Sequence, residues 1–486
     1  MNTLTLILTI GVLAGKATPE MASPSFWTKS DEVIMDAAAI ARYNAGLKAE
    51  GDLDLVDIFA APATVSGAVV RAAIESYSIP AGYGYIGTGK ATDELRKRIL
   101  AGRNLEAVPD EVHVRYGVVT APADLRSFPT PLTCTDDGIV SGSLCFDDFQ
   151  QTHLWLGEGV LIWHWSVDGK WCFVRANNYA GWVEASNIGL CSREEMRGYV
   201  RSSSFAVTLE QKLVDVAGVE MRLMMGTRLA LDATGAVLAP VRGEDGQLEL
   251  RRCSIDIRMS TGYLPYTLNN VMELAFRLLD TPYSWGGAQG YNDCSATLLS
   301  VYYCFGIDLP RNSSSMVKMD LHNHVKGELD FDSLQPGSLA VVPGHAMMYL
   351  GCVDGEAYIL HDVNALYYPK KGGGLDKEHV GRTVVSSTSD LYRKTGLSFL
   401  EAFTNIIEVR PDCPSRTDAY RQPCLSRRPS IPAPLRRRAP RGEPTSWSSS
   451  APRRPARRSM PCSLRTSSPE PRSSPPIPAR CTAGWT

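Results

Sequence analysis

The sequence predicts a multidomain α+β protein, in which a helical N-terminal segment and two small β-barrels precede a mixed α+β domain and an unstructured tail. Three observations support this class. Apolar residues follow helical spacing in the first 120 residues, short alternating runs rich in tryptophan come next, and helices then alternate with strands up to about residue 410. The length of 486 residues fits about three domains of ~150 residues, and a hydrophobic content of 44% is ordinary for globular proteins.

Residues 1–22 are predicted to be a signal peptide, so we expect export to the periplasm or cell envelope. The apolar run at residues 4–13 is too short to cross a bilayer, and Gly15-Lys16-Ala17 fits a cleavage site between small residues. No Lys or Arg precedes the run, which leaves a buried helix or a misplaced start codon as alternatives. No other stretch is apolar enough to predict an integral membrane span.

Residues 23–122 are predicted to be mainly helical. Within residues 64–79, apolar side chains recur at helical intervals: Val65, Ala68, Val69, Ala72, Ala73 and Ile74. Nothing in this segment predicts catalysis.

Two small β-barrels are predicted, over residues 123–198 and 199–260. Residues 128–188 form short alternating runs separated by turn pairs such as Asp168-Gly169, and they hold five of the nine tryptophans. Small barrels with little core volume use large aromatic side chains in this way. We therefore expect these rings in the core, with the alternative that one or two stay exposed to stack on a ligand.

Residues 261–410 are predicted to form a mixed α+β domain whose chemistry centres on Cys294. Asp293 is suited to be the N-cap of a helix over residues 293–305, which places Cys294 in the first turn. There the helix macrodipole favours the nucleophilic thiolate, and the unpartnered first-turn amides can face a developing oxyanion. A lone cysteine in an apolar helix is otherwise usually buried packing, which is what we expect of Cys304.

Two histidines supply the partners for this thiol. His345 opens a predicted strand on which it shares one face with Met347, a position from which an imidazole can reach a thiol on a neighbouring helix. His361 ends the next strand and can orient His345 if the hairpin register places both on one face. A two-residue turn at Asp354-Gly355 would place them on opposite faces. We therefore predict a three-residue loop with a G1-type bulge and Gly355 in a left-handed conformation.

Four motifs, in their order along the chain, resemble those of the NlpC-type cell-wall cysteine peptidases. They are Pro282-Tyr283-Ser284-Trp285-Gly286-Gly287, Asp293-Cys294-Ser295, Gly306-Ile307-Asp308-Leu309-Pro310-Arg311-Asn312-Ser313 and Gly344-His345-Ala346-Met347-Met348-Tyr349-Leu350-Gly351. Upstream, Phe146-Asp147-Asp148-Phe149-Gln150 and Gly181-Trp182-Val183 look like the bacterial SH3 module that precedes such domains. Residues 27–47 resemble the helical segment that precedes both, and the tail is not covered.

This resemblance implies a papain-like fold and a cysteine endopeptidase that hydrolyses peptidoglycan stem peptides, often between γ-D-glutamate and a diamino acid, through a thioester intermediate. By motif position, Cys294 would be the nucleophile, His345 the general base and later acid, and His361 the orienting third residue. Two residues depart from the family pattern, Ala296 in place of glycine and Met316 in place of glutamine. Neither belongs to the implied triad.

The resemblance also implies a substrate-binding set. Tyr283 matches a tyrosine close to the catalytic thiol, and Asp293 and Ser295 match residues that hold the free amine of the stem's L-alanine. A carboxylate in a small cleft selects an ammonium group by a charge-assisted hydrogen bond. A role for Asp293 as a helix cap alone is the alternative, and the two roles are compatible.

Two other functions stay open, a non-catalytic peptidoglycan-binding protein and an amidase or acyltransferase on the same fold. No cofactor or metal is predicted, because none of the 12 cysteines forms a C-x-x-C pair. We expect a monomer whose partners are peptidoglycan stem peptides or muropeptides.

The net charge of -2 hides a strong asymmetry. Residues 411–486 carry 15 arginines against four acidic residues, a charge of +11, so residues 1–410 carry -13. The acidic body gives no case for nucleic-acid binding. The tail also holds 16 of the 31 prolines, which predicts disorder. Its composition indicates a frame error in the gene, with attachment to anionic polymers or membrane surfaces as the functional alternative.

Overall fold

The computed structural model describes residues 11–79, 82, 84–142, 144–320, 322–327 and 329–411. Residues 1–10 of the predicted signal peptide and residues 412–486 of the predicted tail lie outside this range. Within the predicted signal peptide, Leu13–Ala14 form the first strand, β1, which pairs in parallel with a strand of the α+β domain, and a 3-10 helix follows at Pro19–Ala22. Val12 and Met21 are buried. Residues 11–22 are therefore part of the folded body.

Residues 23–113 combine helices with short strands, so the segment predicted as helical is mixed. Its helices are α1 (Pro24–Trp27), α2 (Ala37–Ala49), α3 (Gly67–Glu75) and α4 (Asp93–Gly102), with a 3-10 helix at Leu105–Ala107. Its strands are β2 (Thr64–Ser66), β3 (Tyr85–Ile86), β4 (Gly89–Lys90) and β5 (Glu111–His113). The longer helices begin at polar caps, as local sequence predicts. Strand β2 forms because it pairs with the distant β5, which local spacing does not reveal.

The first β-barrel is a seven-stranded sheet in the order β13-β6-β10-β11-β12-β7-β9. Its strands are β6 (Arg115–Val119), β7 (Ala123–Arg126), β9 (Gln150–Leu154), β10 (Gly159–Trp165), β11 (Trp171–Arg175), β12 (Ala180–Glu184) and β13 (Ile188–Cys191), whereas β8 (Cys134–Thr135) pairs with β3. Trp155, Trp171 and Trp182 are buried, and Trp163 and Trp165 are partly buried. The expectation that these rings belong to the core is confirmed, and no tryptophan of this group is left exposed for stacking.

A 3-10 helix (Ala185–Asn187) and helix α5 (Arg193–Val200) lead to a second β unit with its own hydrophobic core. Its strands are β14 (Phe205–Thr208), β15 (Lys212–Val216), β16 (Val219–Leu223), β17 (Arg228–Ala230), β18 (Val237–Arg242), β19 (Leu248–Cys253) and β20 (Met259–Thr261). They form one sheet, β17-β14-β20, and two hairpins, β15-β16 and β18-β19.

The C-terminal domain packs helices against a seven-stranded sheet in the order β1-β25-β24-β23-β22-β26-β21. The helices are α6 (Leu268–Arg277), α7 (Cys294–Tyr303), α8 (Ser313–Met316) and α9 (Phe399–Ala402), with a 3-10 segment at Trp285–Gly290. The strands are β21 (Asn323–Val325), β22 (Leu339–Val342), β23 (His345–Val353), β24 (Glu356–Pro369), β25 (Leu375–Ser387) and β26 (Asn405–Ile407). Helix α7 is apolar on most sides and is buried from Ser295 to Tyr302, as expected of a central helix.

The hairpin between β23 and β24 differs from the predicted one. Val353 pairs with Glu356 around a two-residue turn, Asp354-Gly355, in which both residues are left-handed, at φ 51° and 78°. The predicted bulge at this turn is therefore wrong, although Gly355 has the predicted conformation. The register instead shifts between Tyr349 and Gly351.

This shift leaves Leu350 without a partner on β24. Because side chains alternate between the two faces of a strand, one unpaired residue changes which residues of β23 and β24 share a face farther from the turn. Met348 consequently pairs with Leu360. His361 follows Leu360 and comes to share a face with His345. His361 therefore lies on the predicted face, but the bulge responsible is at Leu350, four residues before the turn.

None of the helices in the described ranges has the length and apolar character that crossing a bilayer requires. The longest, α2, has 13 residues, whereas a transmembrane helix needs about 20.

Candidate active site

Cys294 is the first residue of helix α7, as the sequence predicts. The Asp293 side chain caps the helix and accepts a hydrogen bond from the Ala296 backbone N–H at 2.9 Å. The Cys294 thiol hydrogen-bonds with the backbone of Ala346, the residue after His345. The packing of α7 on β23 thus brings a thiol on a helix N-terminus to a histidine at a strand start.

His345 and His361 are joined by a direct hydrogen bond. The His345 Nε2 atom lies 2.9 Å from His361 Nδ1, and His361 Nε2 lies 2.9 Å from the Ser386 hydroxyl on β25. His361 and Ser386 are fully buried, and His345 is 9% exposed. Because His345 Nε2 is occupied by His361, Nδ1 is the nitrogen that remains for the thiol. The structure therefore joins His345, His361 and Ser386 in one chain of hydrogen bonds, and it places the Cys294 thiol against Ala346, next to His345.

Burial dominates the electrostatics of the thiol and the imidazoles. It raises the pKa of Cys294 to about 12, assisted by the negative charge of Asp293, and it lowers the pKa of His345 to about 3. The pKa of His361 is also held well below its usual range, by burial first and by His345 second. The resting pair is thus a neutral thiol and a neutral imidazole.

The sequence-based expectation considered the helix dipole alone, whereas desolvation shifts the pKa of Cys294 in the opposite direction. A helix macrodipole contributes typically 0.3 to 1 kcal/mol, which is less than one pKa unit at 1.36 kcal/mol per unit. Cys294 is half-buried, and desolvation of an ionisable group shifts its pKa by up to 3 to 5 units when burial is complete. Desolvation therefore outweighs the helix dipole at Cys294.

Asp293 and Ser295 share a buried partner, Arg311, to which sequence analysis assigned no role. Arg311 Nη2 donates to Asp293 Oδ2 at 2.7 Å, and Nη1 donates to the Ser295 hydroxyl at 2.7 Å. Its Nε donates to the Thr152 hydroxyl of the first barrel, also at 2.7 Å. Arg311 belongs to the Leu-Pro-Arg motif, so the sequence could have indicated a role for it. Its partners could not be identified from the sequence, because they are remote in the chain.

Tyr283 is buried close to Cys294. Its backbone bridges to Asn292, the residue before the helix cap, and its N–H donates to the Gly381 carbonyl at 2.9 Å. Burial raises the pKa of its phenol well above the usual range, and the charges of Cys294 and Asp293 add to the effect. The phenol is therefore a hydrogen-bond donor at neutral pH.

The segment Trp285–Gly290 ties the site to the first barrel. Gln150 Nε2 donates to the Gly286 carbonyl at 3.2 Å. Gly286 is left-handed, at φ 62°, and a Cβ atom there would lie 2.6 Å from Gln150 Cγ. Glycine is required at this position both by its backbone conformation and by the close approach of the barrel.

Asp362, next to His361, is a second residue that sequence analysis missed. It is fully buried under α7, where the Thr297 hydroxyl donates to Oδ2 at 3.5 Å. Burial, followed by repulsion from Asp293, raises its pKa well above the usual range. Burial thus favours the protonated form of Asp362, and any negative charge on it raises the pKa of the Cys294 thiol.

The two departures from the family pattern do not obstruct the site. Ala296 donates its N–H to Asp293 and lines a small cavity with Leu299 and Arg311 on the side of α7 that faces the first barrel. Met316 is fully buried in the main core.

Comparisons with known proteins agree with this geometry. Residues 280–373 match the NlpC/P60 family, and residues 141–184 match an SH3 domain of the SH3b1 type. These residues form an NlpC/P60 domain and an SH3 domain. The match and the fold together assign the NlpC/P60 domain to the cysteine-type peptidases, and the predicted family and first SH3-like module are confirmed.

Two relatives extend the comparison. A novel NlpC/P60 endopeptidase from Photobacterium damselae subsp. piscicida has a similar structure, with a TM-score of 0.66 and 19% identity over 80% of this chain and 97% of its own. The dipeptidyl-peptidase 6 of Lysinibacillus sphaericus is 31% identical over 83 residues, which are 17% of this chain and 29% of that protein. The chain thus matches less than a third of the length of this curated relative.

Proposed function

We propose that the protein is a cysteine endopeptidase that hydrolyses peptidoglycan stem peptides at the bond between γ-D-glutamate and the diamino acid. The observation that carries the proposal is the Cys294-His345-His361 alignment in an NlpC/P60 domain. Cys294 is the nucleophile, His345 the general base and acid, and His361 the residue that orients His345. The hydrogen bond of 2.9 Å between the two imidazoles fixes which nitrogen of His345 remains for the thiol.

The first step moves a proton from a neutral thiol. His345 Nδ1 takes the Cys294 proton as the sulfur attacks the carbonyl carbon of the γ-D-glutamyl bond. The resulting imidazolium donates from Nε2 to His361 Nδ1, so His361 carries its own proton on Nε2 and donates it to the Ser386 hydroxyl. Each donor then faces an acceptor along the chain of contacts, which stabilises the imidazolium.

The developing oxyanion is stabilised by the first turn of α7. The amide of Ala296 is bonded to the Asp293 side chain, and the amide of Thr297 to the Asp293 carbonyl. The amides of Cys294 and Ser295 have no partner within the helix and are the proposed donors.

The acyl-enzyme forms and breaks with the same base. Protonated His345 gives its proton to the nitrogen of the diamino acid, which leaves as an amine and leaves a thioester on Cys294. His345 then takes a proton from water as the water oxygen attacks the thioester. The products are a γ-carboxyl group and the regenerated thiol.

Asp293 and Ser295, with Tyr283, are proposed to hold the free amine end of the stem. Asp293 accepts hydrogen bonds from Ala296, Ser295 and Arg311. A carboxylate has about four lone-pair positions, so one remains for an ammonium group. This geometry favours stems already released from the glycan.

Substrate class and location follow from the same proposal. A cell-wall peptidase domain joined to an SH3 domain supports action in the cell envelope on peptidoglycan. We also propose that residues 199–260 form a second SH3-like module, since the strands there enclose one small core as in the first barrel, and that the protein acts as a monomer.

The test uses purified protein and a synthetic stem tripeptide, L-Ala-γ-D-Glu-diamino acid. We expect mass spectrometry to find the dipeptide and the free diamino acid, with one water added in total. Cys294→Ala should give no product, whereas Cys352→Ala, outside the site, should keep the activity. If the unmodified protein leaves the tripeptide intact, the proposal is wrong.

Two further substrates sharpen this test. A stem with an acetylated L-alanine should be cleaved much more slowly, and Asp293→Asn should reduce the preference for the free amine. A product that contains a new amide to an added amine, in place of the free acid, would indicate an acyltransferase instead.

A further inference from the structure

A cavity of about 240 Å³ lies where the four folded parts of the described chain meet. Its walls come from α2 and the loop that follows it, from two turns of the first barrel, from the second β unit, and from the end of α7. Among the lining residues are Lys48, Phe59, Trp155, Glu158, Arg228 and Tyr303. Tyr303 ends the helix that Cys294 begins, and a ten-residue helix is about 15 Å long. The cavity is therefore separate from the catalytic thiol.

Glu158 is the acid of this cavity without a charged partner. Its carboxyl group makes no ion pair within the described ranges, and its hydrogen bond is to the backbone of Trp155. Burial raises its pKa to about 8. Glu158 is half-buried, and a carboxyl in such a site with one neutral partner is costly to ionise unless a cation joins it.

The ion pairs of the cavity wall are complete without Glu158. Lys48 Nζ lies 2.6 Å from Asp308 Oδ2, and Arg201 Nη2 lies 2.9 and 3.0 Å from the two carboxylate oxygens of Asp57. These four groups therefore offer Glu158 no countercharge.

Arg228 is also occupied. Its guanidinium donates to the carbonyls of Val200 and Ser202, hydrogen-bonds with Tyr263, and lies 3.9 Å from the centroid of the Phe205 ring. It lines the same cavity, but no ion pair joins it to Glu158 in the described part of the chain. No basic side chain of the described walls thus neutralises the Glu158 carboxylate.

Aromatic rings surround this carboxyl. Trp155 and Tyr303 form an edge-to-face pair with ring centroids 5.1 Å apart, and both line the cavity with Glu158. Elsewhere in the lining, the Arg201 guanidinium already lies over the Phe59 ring, 4.2 Å from its centroid. Aromatic faces attract cations through their quadrupole, so this lining favours a positive ligand.

We propose that this cavity binds a small organic ammonium ion, with Glu158 as its counter-ion and the Trp155 and Tyr303 rings as its walls. The volume is below the 300 to 1,000 Å³ typical of drug-sized ligands, so the ligand is a primary or quaternary amine with a few carbon atoms. The site is independent of the proposed peptidase activity, because it does not include the triad or Asp293.

The test measures binding of choline to the full-length protein by isothermal titration calorimetry. We expect saturable binding, and no binding of 3,3-dimethyl-1-butanol, the neutral analogue of choline. Glu158→Gln should weaken choline binding at least tenfold. The matched control Glu184→Gln, an exposed acid of the first barrel that does not line this cavity, should bind choline as the unmodified protein does.

The pH dependence gives a second readout, which does not rely on the variant folding. An ammonium ion binds the ionised carboxylate, so choline affinity should rise as the pH increases towards the Glu158 pKa of about 8 and level off above it. Between pH 6 and 7 the rise should be close to tenfold, one proton being released per choline bound. Choline has no titratable proton, and Tyr263 and Tyr303, which face the cavity, have raised pKa values and stay neutral in this range.

Three results would overturn the proposal: no saturable binding, equal binding of the neutral analogue, or choline affinity that does not change between pH 6 and 8.

Discussion

His345 Nε2 and His361 Nδ1 lie 2.9 Å apart on neighbouring strands whose register is set by one unpaired residue, Leu350. The turn that joins the strands would by itself place the two histidines on opposite faces. The bulge at Leu350 corrects this, and the contact between the imidazoles depends on it. Bulges near active sites re-aim side chains in this manner.

Insertion of one residue after Ile359 should therefore abolish catalysis. The added residue would move His361 opposite Ala346, so that it faces away from His345, and we expect kcat to fall as far as in His361→Ala. Stem-peptide hydrolysis measures the effect, and circular dichroism checks the fold. Deletion of Gly373, in the exposed turn between β24 and β25, is the control and should retain activity. Near-normal kcat after the insertion would refute the role of the register.

Ser386→Ala should lower kcat by about tenfold with little change in KM. The hydroxyl accepts a hydrogen bond from His361 Nε2 and thereby holds the tautomer whose Nδ1 accepts a hydrogen bond from His345. A hydrogen bond contributes about 1 kcal/mol, up to ~1.5, and 1.4 kcal/mol corresponds to a factor of ten in rate.

The neighbouring Ser387 provides the control for this variant. Its hydroxyl contacts Asp390 and the Lys16 backbone, away from the histidines, so Ser387→Ala should keep its kcat. Ser386→Thr, which retains a hydroxyl, should recover part of the activity. Equal kcat values for Ser386→Ala and the unmodified protein would show that the Ser386 hydroxyl does not contribute to catalysis through His361.

Alkylation of Cys294 by iodoacetamide should be slow at neutral pH and should accelerate about tenfold per pH unit from pH 7 to pH 10. The thiolate is the reactive form, and a thiol with a pKa of about 12 is almost fully protonated over this range. Peptide mass spectrometry separates Cys294 from the other cysteines. An alkylation rate that is high and constant from pH 5 to pH 8 would instead indicate a thiolate-imidazolium pair in the resting enzyme.

Arg311→Ala should destabilise the fold by about 3 to 5 kcal/mol, because it leaves the buried Asp293 charge unpaired. Urea denaturation gives the free energy of unfolding. In the double variant Arg311→Ala/Asp293→Ala we expect a smaller loss than the sum of the two single losses, since no unpaired charge remains. Additive losses would show that the ion pair does not couple the two residues.

Local sequence determined the parts of the site that depend on near neighbours. Asp293 followed by an apolar run predicts the cap of α7 and hence the position of Cys294, because capping involves residues three apart. Alternation along β23 likewise predicts the face of His345. The four ordered motifs indicated the family, and the first barrel followed from its tryptophans and turn pairs.

The tertiary structure decided what depends on residues far apart in the chain. Arg311 could be matched with Asp293 and Thr152, and Ser386 with His361, only once the helices and strands were packed together. The same packing removes water from Cys294 and His345, so desolvation reverses the pKa shift that the helix dipole alone would produce. Sequence thus determined which residues are the candidates for the proposed chemistry. Tertiary packing determined their partners and shifted their pKa values, because hydrogen-bond geometry and burial depend on contacts that local pattern does not encode.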